Sequence, residues 1–289
     1  MSILVATASG LVCDGETVAL QGEDVTALAP RSHGWLAVTH RSEVHAIGPD
    51  WNVDLLGTIS GIDAIAEFGG QPVAGTESAR LFEVSGDARP DAAFDSAPDR
   101  SDWYTPSGGP PTVRSMAEGP DGLRWVNVHV GGVLVGDGSG WRPTMDVDND
   151  VHQVIAHPRR PATAYCAAAV GLGWTTDGGS TWEWSTAGLH ATYSRAIAVS
   201  GELVFLSASR GPSGRDAALY RGTPGEPLEP CDAAGRHDQN IDSGCVAAHG
   251  RLIAVAAPGG TVYASSDSGE TWEKAFKVER PRALGIVPE

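Results

Sequence analysis

The chain has 289 residues and carries 36 acidic against 20 basic side chains, which gives a formal charge of −16 at pH 7. Such a charge repels nucleic acid and anionic membranes, so neither is expected as a partner. The 37 glycines and 19 prolines favour a protein of many short strands and turns, because both residues concentrate in turns.

The sequence indicates neither export nor a membrane span. Residues 1–5 hold no basic segment followed by a long apolar core, and no stretch approaches the roughly 18 consecutive apolar residues of a membrane helix. The cysteines are scattered without C-x-x-C spacing at Cys13, Cys166, Cys231 and Cys245, and Cys166 is expected to pack as a small apolar residue. We therefore expect a reduced, soluble, cytoplasmic protein.

Strand patterns recur along the whole chain. Residues 2–7 form the first pattern and residues 282–287 the last. Apolar runs of the type expected for the innermost strand of a repeated sheet begin at seven places. They begin near Val25, Ile62, Val113, Val151, Arg195, Ile241 and Ala283.

An eight-residue turn motif occurs twice, as T-T-D-G-G-S-T-W at residues 175–182 and as S-S-D-S-G-E-T-W at residues 265–272. Each copy lies between two apolar runs, as expected of a β-hairpin. The aspartate can accept hydrogen bonds from backbone N–H groups two or three residues later, the last glycine can adopt a backbone conformation that other residues avoid, and the tryptophan can fold back as an apolar plug. These residues are Asp177, Gly179 and Trp182 in the first copy and Asp267, Gly269 and Trp272 in the second.

The shared pattern, S/T-x-D-x-G-x-T-W, resembles the Asp-box, or BNR repeat, of sialidase-like and related β-propellers. The resemblance implies that these turns are structural and lie on the face away from any active site. Degenerate copies occur at Asp14, Asp50 and Asp137, so that successive aspartates are 36, 87, 40 and 90 residues apart. Each long gap spans two short ones, and six steps of about 42 residues match the length of a four-stranded propeller blade.

We therefore predict an all-β protein, a seven-bladed β-propeller of four-stranded antiparallel blades in which residues 1–289 form a single domain. The strand at residues 282–287 is predicted to pair with the three N-terminal strands and to close the ring. Such closure leaves no open sheet edge at this position.

In a propeller of this type, the loops between blades and the loops between second and third strands share one face. That face is predicted to hold more than an even share of the histidines, and charge at a channel mouth costs stability unless a ligand compensates it. The residues predicted there are His40, His129, His152, His190, His237, Asp63, Glu77, Asp242, Arg114, Arg195, Arg210 and Arg282.

Three stretches near this face stand out. His129 follows the predicted strand at residues 124–128 and precedes two glycines, which let a ligand come close. The link D-V-D-N-D-V-H at residues 146–152 resembles the opening of a calcium loop but lacks its glycine and closing glutamate. The insertion at residues 85–111 carries Trp103 and Tyr104 and is interpreted either as a pocket wall or as a disordered polar segment.

The first functional hypothesis is an enzyme or binder of a small polar or anionic molecule, with its pocket over the central channel. A divalent transition metal could be held by a subset of His40, His129, His152, His190 and His237. A metal-free version would use His129 or His152 as general base and arginines to bind an anionic substrate. The candidate catalytic residues are His129, His152 and Asp242. The substrate-binding residues would be Arg114, Arg195, Arg282, Trp103 and Tyr104.

Two other hypotheses remain open. Family resemblance suggests a sialidase with Arg114, Arg195 and Arg282 as a carboxylate-binding triad, but the chain has no R-I-P element near its N-terminus, no identifiable tyrosine and glutamate nucleophile pair, and seven predicted blades where catalytic sialidases have six. The other hypothesis is a non-catalytic scaffold, similar to assembly-factor propellers, that would bind a protein partner with the same face.

Overall fold

The computed structural model describes residues 1–106, 108–231 and 234–288. Its strands form seven four-stranded antiparallel sheets, which confirms the predicted seven-bladed β-propeller. The first sheet consists of β1 (Ser2–Thr7), β2 (Gly10–Cys13), β3 (Glu16–Ala19) and the last strand, β28 (Pro281–Val287). The second consists of β4 (Val25–Arg31), β5 (Gly34–Thr39), β6 (Glu43–Ile47) and β7 (Val53–Thr58).

Each remaining sheet is also built from consecutive strands. The third consists of β8 (Ile62–Phe68), β9 (Gln71–Thr76), β10 (Leu81–Glu83) and β11 (Arg89–Pro90). The fourth consists of β12 (Val113–Glu118), β13 (Arg124–Val128), β14 (Gly132–Gly136) and β15 (Trp141–Pro143). The fifth consists of β16 (Val151–Ala156), β17 (Ala164–Ala168), β18 (Gly171–Thr175) and β19 (Glu183–Ser185).

The last two sheets follow the same plan. The sixth consists of β20 (Ile197–Ser200), β21 (Leu203–Ala208), β22 (Ala218–Gly222) and β23 (Glu229–Pro230). The seventh consists of β24 (Val246–His249), β25 (Leu252–Ala256), β26 (Thr261–Ser265) and β27 (Glu273–Lys277). One short helix, α1 (Ala92–Asp95), and the 3-10 helices Arg100–Asp102 and Val147–Asn149 lie in the connections.

The first sheet joins the two ends of the chain. Strand β28 pairs antiparallel with β1, and the register places Ile3 opposite Ile286 and Val5 opposite Leu284. The sheet order β28-β1-β2-β3 confirms the predicted pairing of the last strand with the N-terminal three.

Four of the seven predicted strand starts coincide with observed ones, and three do not. The predicted starts at Arg195, Ile241 and Ala283 lie instead at Ile197, Val246 and Pro281. Just before β20 a side chain takes one position of the strand ladder, since Ser207 Oγ accepts from the Arg195 N–H at 3.2 Å.

Two compact units are distinguished along the chain, and each is described by itself. Within the described residues, the first unit comprises Met1–Thr26, Ala167–Leu172 and Trp184–Glu289, and the second comprises Ala27–Cys166 and Gly173–Glu183. The single domain expected for residues 1–289 stays a prediction.

The two full turn motifs have the geometry of a side-chain-stapled hairpin. Asp177 Oδ1 accepts from the Thr181 N–H at 3.0 Å, and Asp177 Oδ2 accepts from the Thr181 hydroxyl at 2.7 Å. These donors lie four residues after the aspartate, because Gly179 turns the chain with a φ of +78° and donates its own N–H to Thr175 Oγ1. A further backbone contact to Asp177 comes from Ser180, at the predicted spacing of three residues. The same four-residue spacing holds from Asp267 to Thr271.

The degenerate copies make different contacts. Asp137 accepts from the N–H of Ser139, two residues later, at 2.9 Å. Asp14 accepts from the N–H of Ile3 at 2.8 Å, across its hairpin. The blade count derived from their spacing is nevertheless confirmed, because the turns recur at the blade period even where the stapling bonds differ.

The insertion at residues 85–111 is anchored by an apolar cluster. Phe94 is fully buried, and its ring centroid lies 5.8 Å from that of Trp103 and 5.2 Å from that of Trp141. Trp103 is 6% exposed, and the guanidinium of Arg100 lies 4.9 Å from its ring centroid. Trp103, predicted to bind substrate, therefore packs in the core of the second unit.

Candidate functional site

Three sheets of the second unit each have a polar residue at the second position of their first strand. Asp63 is the second residue of β8, Arg114 of β12 and His152 of β16. Each of these strands begins with a fully buried Ile or Val, which fixes the start of the strand in the core. The polar residue that follows therefore lies at the beginning of its strand in all three sheets. The ends of these strands thus concentrate titratable groups.

Asp150 lies between two of the predicted histidines. Its Oδ1 is 3.6 Å from Nε2 of His129, and its Oδ2 is 3.5 Å from Nε2 of His152. His129 directly follows β13, and Asp150 takes a left-handed conformation, with a φ of +47°, between a 3-10 helix and β16. The His129 side chain is 19% exposed and the His152 side chain is fully buried, so the cluster presents one imidazole to solvent.

Two carboxyl groups of this region have opposite pKa shifts. Contact with His152, and then the charges of His152, His129 and Arg114, hold the pKa of Asp150 below its usual range despite burial. Burial raises the pKa of Asp63, although Arg41 and Arg114 oppose that effect. Environments that separate two carboxyl pKa values are typical of acid–base sites.

Arg41 connects two of the predicted acids. Its Nη2 lies 2.6 Å from Asp63 Oδ1 and 3.3 Å from Glu77 Oε2. Both His40 and Arg41 have a positive φ, +52° and +55°, in the turn between β5 and β6, and this turn directs Arg41 towards the start of β8. His40 itself is exposed in the turn.

Tyr104 extends the cluster towards solvent. Tyr104 is 47% exposed, and its hydroxyl donates to Asp148 Oδ1 at 3.4 Å. Partial burial of the hydroxyl, and then the charges of Asp148 and Asp150, raise the pKa of Tyr104. Of the two aromatic residues predicted to bind substrate, Tyr104 therefore lies near the histidine cluster.

The remaining predicted site residues belong to the first unit and are held by other partners. Arg195 forms an ion pair with Asp242 at 2.8 Å, and Arg282 lies 3.4 Å from Asp24. His237 has a lowered pKa, because its ring is buried, and its Nε2 lies 3.1 Å from the Ala234 carbonyl.

His190 belongs to a separate group of contacts in the first unit. Its Nε2 lies 3.4 Å from Asp216 Oδ2, and its Nδ1 lies 2.7 Å from the Tyr220 hydroxyl. Throughout the part of the chain that the structure describes, no group of three or more His, Cys, Asp or Glu residues is placed to hold a metal ion.

Two residues of these clusters, Asp150 and Asp216, were not singled out from the sequence. Asp150 was visible only as one acid of the link at residues 146–152, and Asp216 lies in a loop without a recognisable motif. The available signal for Asp150 was only its place in the chain, two residues before His152 and in the same acidic link.

Two clefts described in the second unit are lined by residues away from the histidine cluster. One of about 490 Å³ is lined by residues at the opposite ends of β8, β12 and β16, among them Glu67, Met116 and Ile155, and by Arg31 of β4. Another, of about 350 Å³, is lined by residues that include Arg89, Arg124 and Trp141.

Among the described residues, no helix has the length and apolar character needed to cross a membrane. No family model matches the chain, and no curated protein matches it.

Solved structures are similar to this chain at low sequence identity. A chain of a nidogen/laminin complex has a TM-score of 0.57 at 10% identity, over 98% of this chain and 97% of that chain. The GH74 enzyme of Niastella koreensis has a TM-score of 0.62 at 14% identity, over 95% of this chain and 47% of that chain. The WD40 β-propeller domain of Doa1 has a TM-score of 0.63 at 12% identity, over 87% and 81%. At these identities the likeness shows the fold alone, a β-propeller that enzymes and WD40 domains share.

Proposed function

We propose that His129, Asp150 and His152 form an acid–base site for a small polar molecule, at which His129 exchanges a proton with the ligand. The observation that carries this proposal is the Asp150 carboxylate, which has one oxygen 3.6 Å from His129 and the other 3.5 Å from His152. A carboxylate beside an imidazole both orients the ring and stabilises its protonated form.

The three residues have different roles in this proposal. Asp150 is ionised at neutral pH because its pKa is lowered, so it supplies a fixed negative charge beside His129. His152 is fully buried and acts as a positioning residue that holds Asp150. His129 is the group that reaches the ligand, because its side chain keeps 19% of its surface exposed.

Neighbouring groups favour a polar ligand over a strongly anionic one. Arg41 is engaged by Asp63 and Glu77, and Arg114 lies within electrostatic range of both Asp63 and Asp150. Carboxylates therefore already oppose the charges of Arg41 and Arg114. We expect hydrogen bonds to contribute more than net charge to the binding of a ligand beside His129.

The divalent metal expected from the sequence stays a prediction. His129 and His152 would be its imidazole ligands in the second unit, and imidazole suits zinc, copper, iron or nickel. Elemental analysis of untagged protein tests it: less than about a tenth of an equivalent would remove the metal form of the proposal.

A protein-binding scaffold is the second candidate. It is supported by the exposure of Tyr104 beside Asp148 and by the fold likeness to a WD40 domain. Affinity capture with wild type and Tyr104→Ala, followed by identification of any partner lost in the variant, would favour this function over catalysis.

The test of the acid–base site is turnover with matched variants. Untagged protein is incubated with ester, lactone, phosphoester and glycoside reporters and with a mixture of small metabolites followed by NMR. We expect turnover by wild type that His129→Gln abolishes without a change in the melting temperature. Turnover that survives in His129→Gln, or no turnover of any compound, would contradict the proposal.

A further inference from the structure

We infer that the first unit carries an oxyanion-binding site of its own, formed by Arg210 and Arg236 on either side of Asp216. This inference does not depend on the acid–base site. The ligand is a small molecule with a phosphoryl or carboxylate group, because guanidinium groups bind such oxyanions through parallel N–H donors.

A single carboxylate holds both arginines. Asp216 Oδ2 accepts from Arg210 Nε at 3.0 Å, and Asp216 Oδ1 accepts from Arg236 Nη1 at 2.8 Å. The Arg210 and Arg236 side chains are 60% and 48% exposed, whereas that of Asp216 is 30% exposed. The carboxylate thus lies deeper than the guanidiniums, which keep further N–H groups for a ligand.

A stacked pair of rings, His190 and the buried Tyr220, contacts Asp216 on its protein side. His190 Nε2 lies 3.4 Å from Asp216 Oδ2, and the His190 and Tyr220 rings are stacked with centroids 5.8 Å apart. Tyr220 is 2% exposed, so it fixes the imidazole from the core. The Arg236 hydrogen bond, followed by other contacts, keeps the pKa of Asp216 below its usual range, which leaves this carboxylate ionised at neutral pH.

The loops that carry the arginines are joined to each other. Ala217 and His237 exchange two backbone hydrogen bonds of 2.8 Å, one in each direction, directly beside Asp216 and Arg236. Ser209, the neighbour of Arg210, donates its N–H to the Tyr193 carbonyl at 2.9 Å. Both guanidiniums therefore extend from backbone positions that are fixed before any ligand arrives, which lowers the entropic cost of binding.

Close packing adds to this preorganisation. Asn240 Nδ2 donates to the Pro212 carbonyl at 3.1 Å, and Ser209 Oγ donates to Asn240 Oδ1 at 2.6 Å. A Cβ on Gly214, whose φ is +76°, would overlap the backbone of Asn240, so only glycine allows this approach of the two loops.

The local charge is opposite to that of the whole chain. Two guanidiniums face one carboxylate. The exposed Arg215 lies in the same loop as Arg210, and the exposed Asp238 lies two residues after Arg236. The chain carries −16 overall, so its long-range field disfavours non-specific anion binding elsewhere. A cluster in which guanidiniums outnumber carboxylates is therefore the place in the first unit where we expect an anion to bind.

The test is calorimetric titration of the full chain with inorganic phosphate and, separately, with succinate. Titrations are made at about 0.02 M ionic strength, where screening of charges is weak. We expect wild type to bind at least one of the two, and the stronger of them identifies the phosphoryl or the carboxylate class. Arg210→Gln and Arg236→Gln are each expected to weaken binding by about tenfold or more.

Two controls separate binding from a structural ion-pair network. Arg159→Gln removes an exposed arginine of the second unit and is expected to leave the affinity unchanged. Asp216→Asn keeps the size of the side chain and its left-handed backbone, since asparagine tolerates the φ of +59° seen here. Because it removes the opposing charge, it is expected to tighten anion binding while lowering the melting temperature.

Absence of binding by wild type with both anions would overturn the inference, as would an equal loss of affinity in Arg159→Gln. A lower anion affinity of Asp216→Asn, with a circular dichroism spectrum that matches wild type, would also contradict the proposed site.

Discussion

The carboxylate of Asp150 faces Nε2 of both His129 and His152, at 3.6 Å and 3.5 Å, so one anion serves two imidazoles of different exposure. One of the two histidines, His152, is buried, and the other, His129, is partly exposed, so only His129 is accessible from solvent. In the proposed site, proton exchange with solvent or ligand would take place at His129, and His152 would keep the carboxylate in place.

The first prediction concerns Asp150→Asn. The amide keeps the shape of the side chain but lacks the negative charge that stabilises an imidazolium at His129, so any turnover in the acid–base site is expected to fall by about a hundredfold or more. The measurement is kcat for wild type and variant, with Asp54→Asn, an exposed aspartate of β7, as the matched control. An unchanged kcat in Asp150→Asn would show that His129 acts without this carboxylate.

A second prediction follows from the raised pKa of Asp63. A carboxyl group whose pKa is higher in the folded state contributes stability below its unfolded pKa, near 3.9, and loses it as the pH rises through the folded value. At pH 7 the ionised, partly buried Asp63 therefore opposes folding. Asp63→Asn is expected to raise the melting temperature at pH 7 by about 2 °C, and the difference should shrink as the pH is lowered towards 4.

The opposite pH dependence is expected at Asp177. Its hydrogen bonds with Thr181 and Thr175 lower its pKa to about 2, so its contribution to stability is complete above the unfolded pKa, near 3.9, and is lost as the pH falls towards 2. Asp177→Asn should lower the melting temperature at pH 6 and reduce its further fall in acid. Thermal unfolding from pH 6 to pH 2 measures this, and Asp50→Asn, in a degenerate turn, should retain the wild-type profile.

A fourth prediction separates the two adjacent aromatic residues of the insertion. Trp103 packs against Phe94 in the core, so Trp103→Ala is expected to lower the free energy of unfolding by about 3–5 kcal/mol. Tyr104→Phe removes only a hydroxyl contact with Asp148 and should stay within about 0.5 kcal/mol of wild type. Denaturant unfolding distinguishes them, and equal losses would mean that the insertion is anchored by Tyr104 as well.

The fold could be predicted from the sequence because its signal is periodic. Turn aspartates at a blade-length spacing and repeated apolar runs determine the number of sheets even when single turns, such as that of Asp137, depart from the motif. Exact strand starts could not be predicted where a side chain replaces the ladder, as Ser207 Oγ does for the Arg195 N–H.

The candidate site was only partly predictable. His129 and His152 meet because one follows a second strand and the other begins a first strand, an arrangement that the fold class implies. Sequence could not show that Asp150 adopts a left-handed conformation and contacts both of them, nor that Arg195 is neutralised by Asp242, 47 positions later, since such pairings depend on loop conformation.

The pairing of β1 with β28 has a consequence for how the protein forms during synthesis. Residues near position 4 must wait for a partner near position 285, so the first sheet holds only three strands while the ribosome adds the rest of the chain. The exposed edge of β1 is then open to the wrong partner for about 15–60 seconds at ordinary elongation rates, and that interval makes β1 the place where chaperone assistance is expected to matter most.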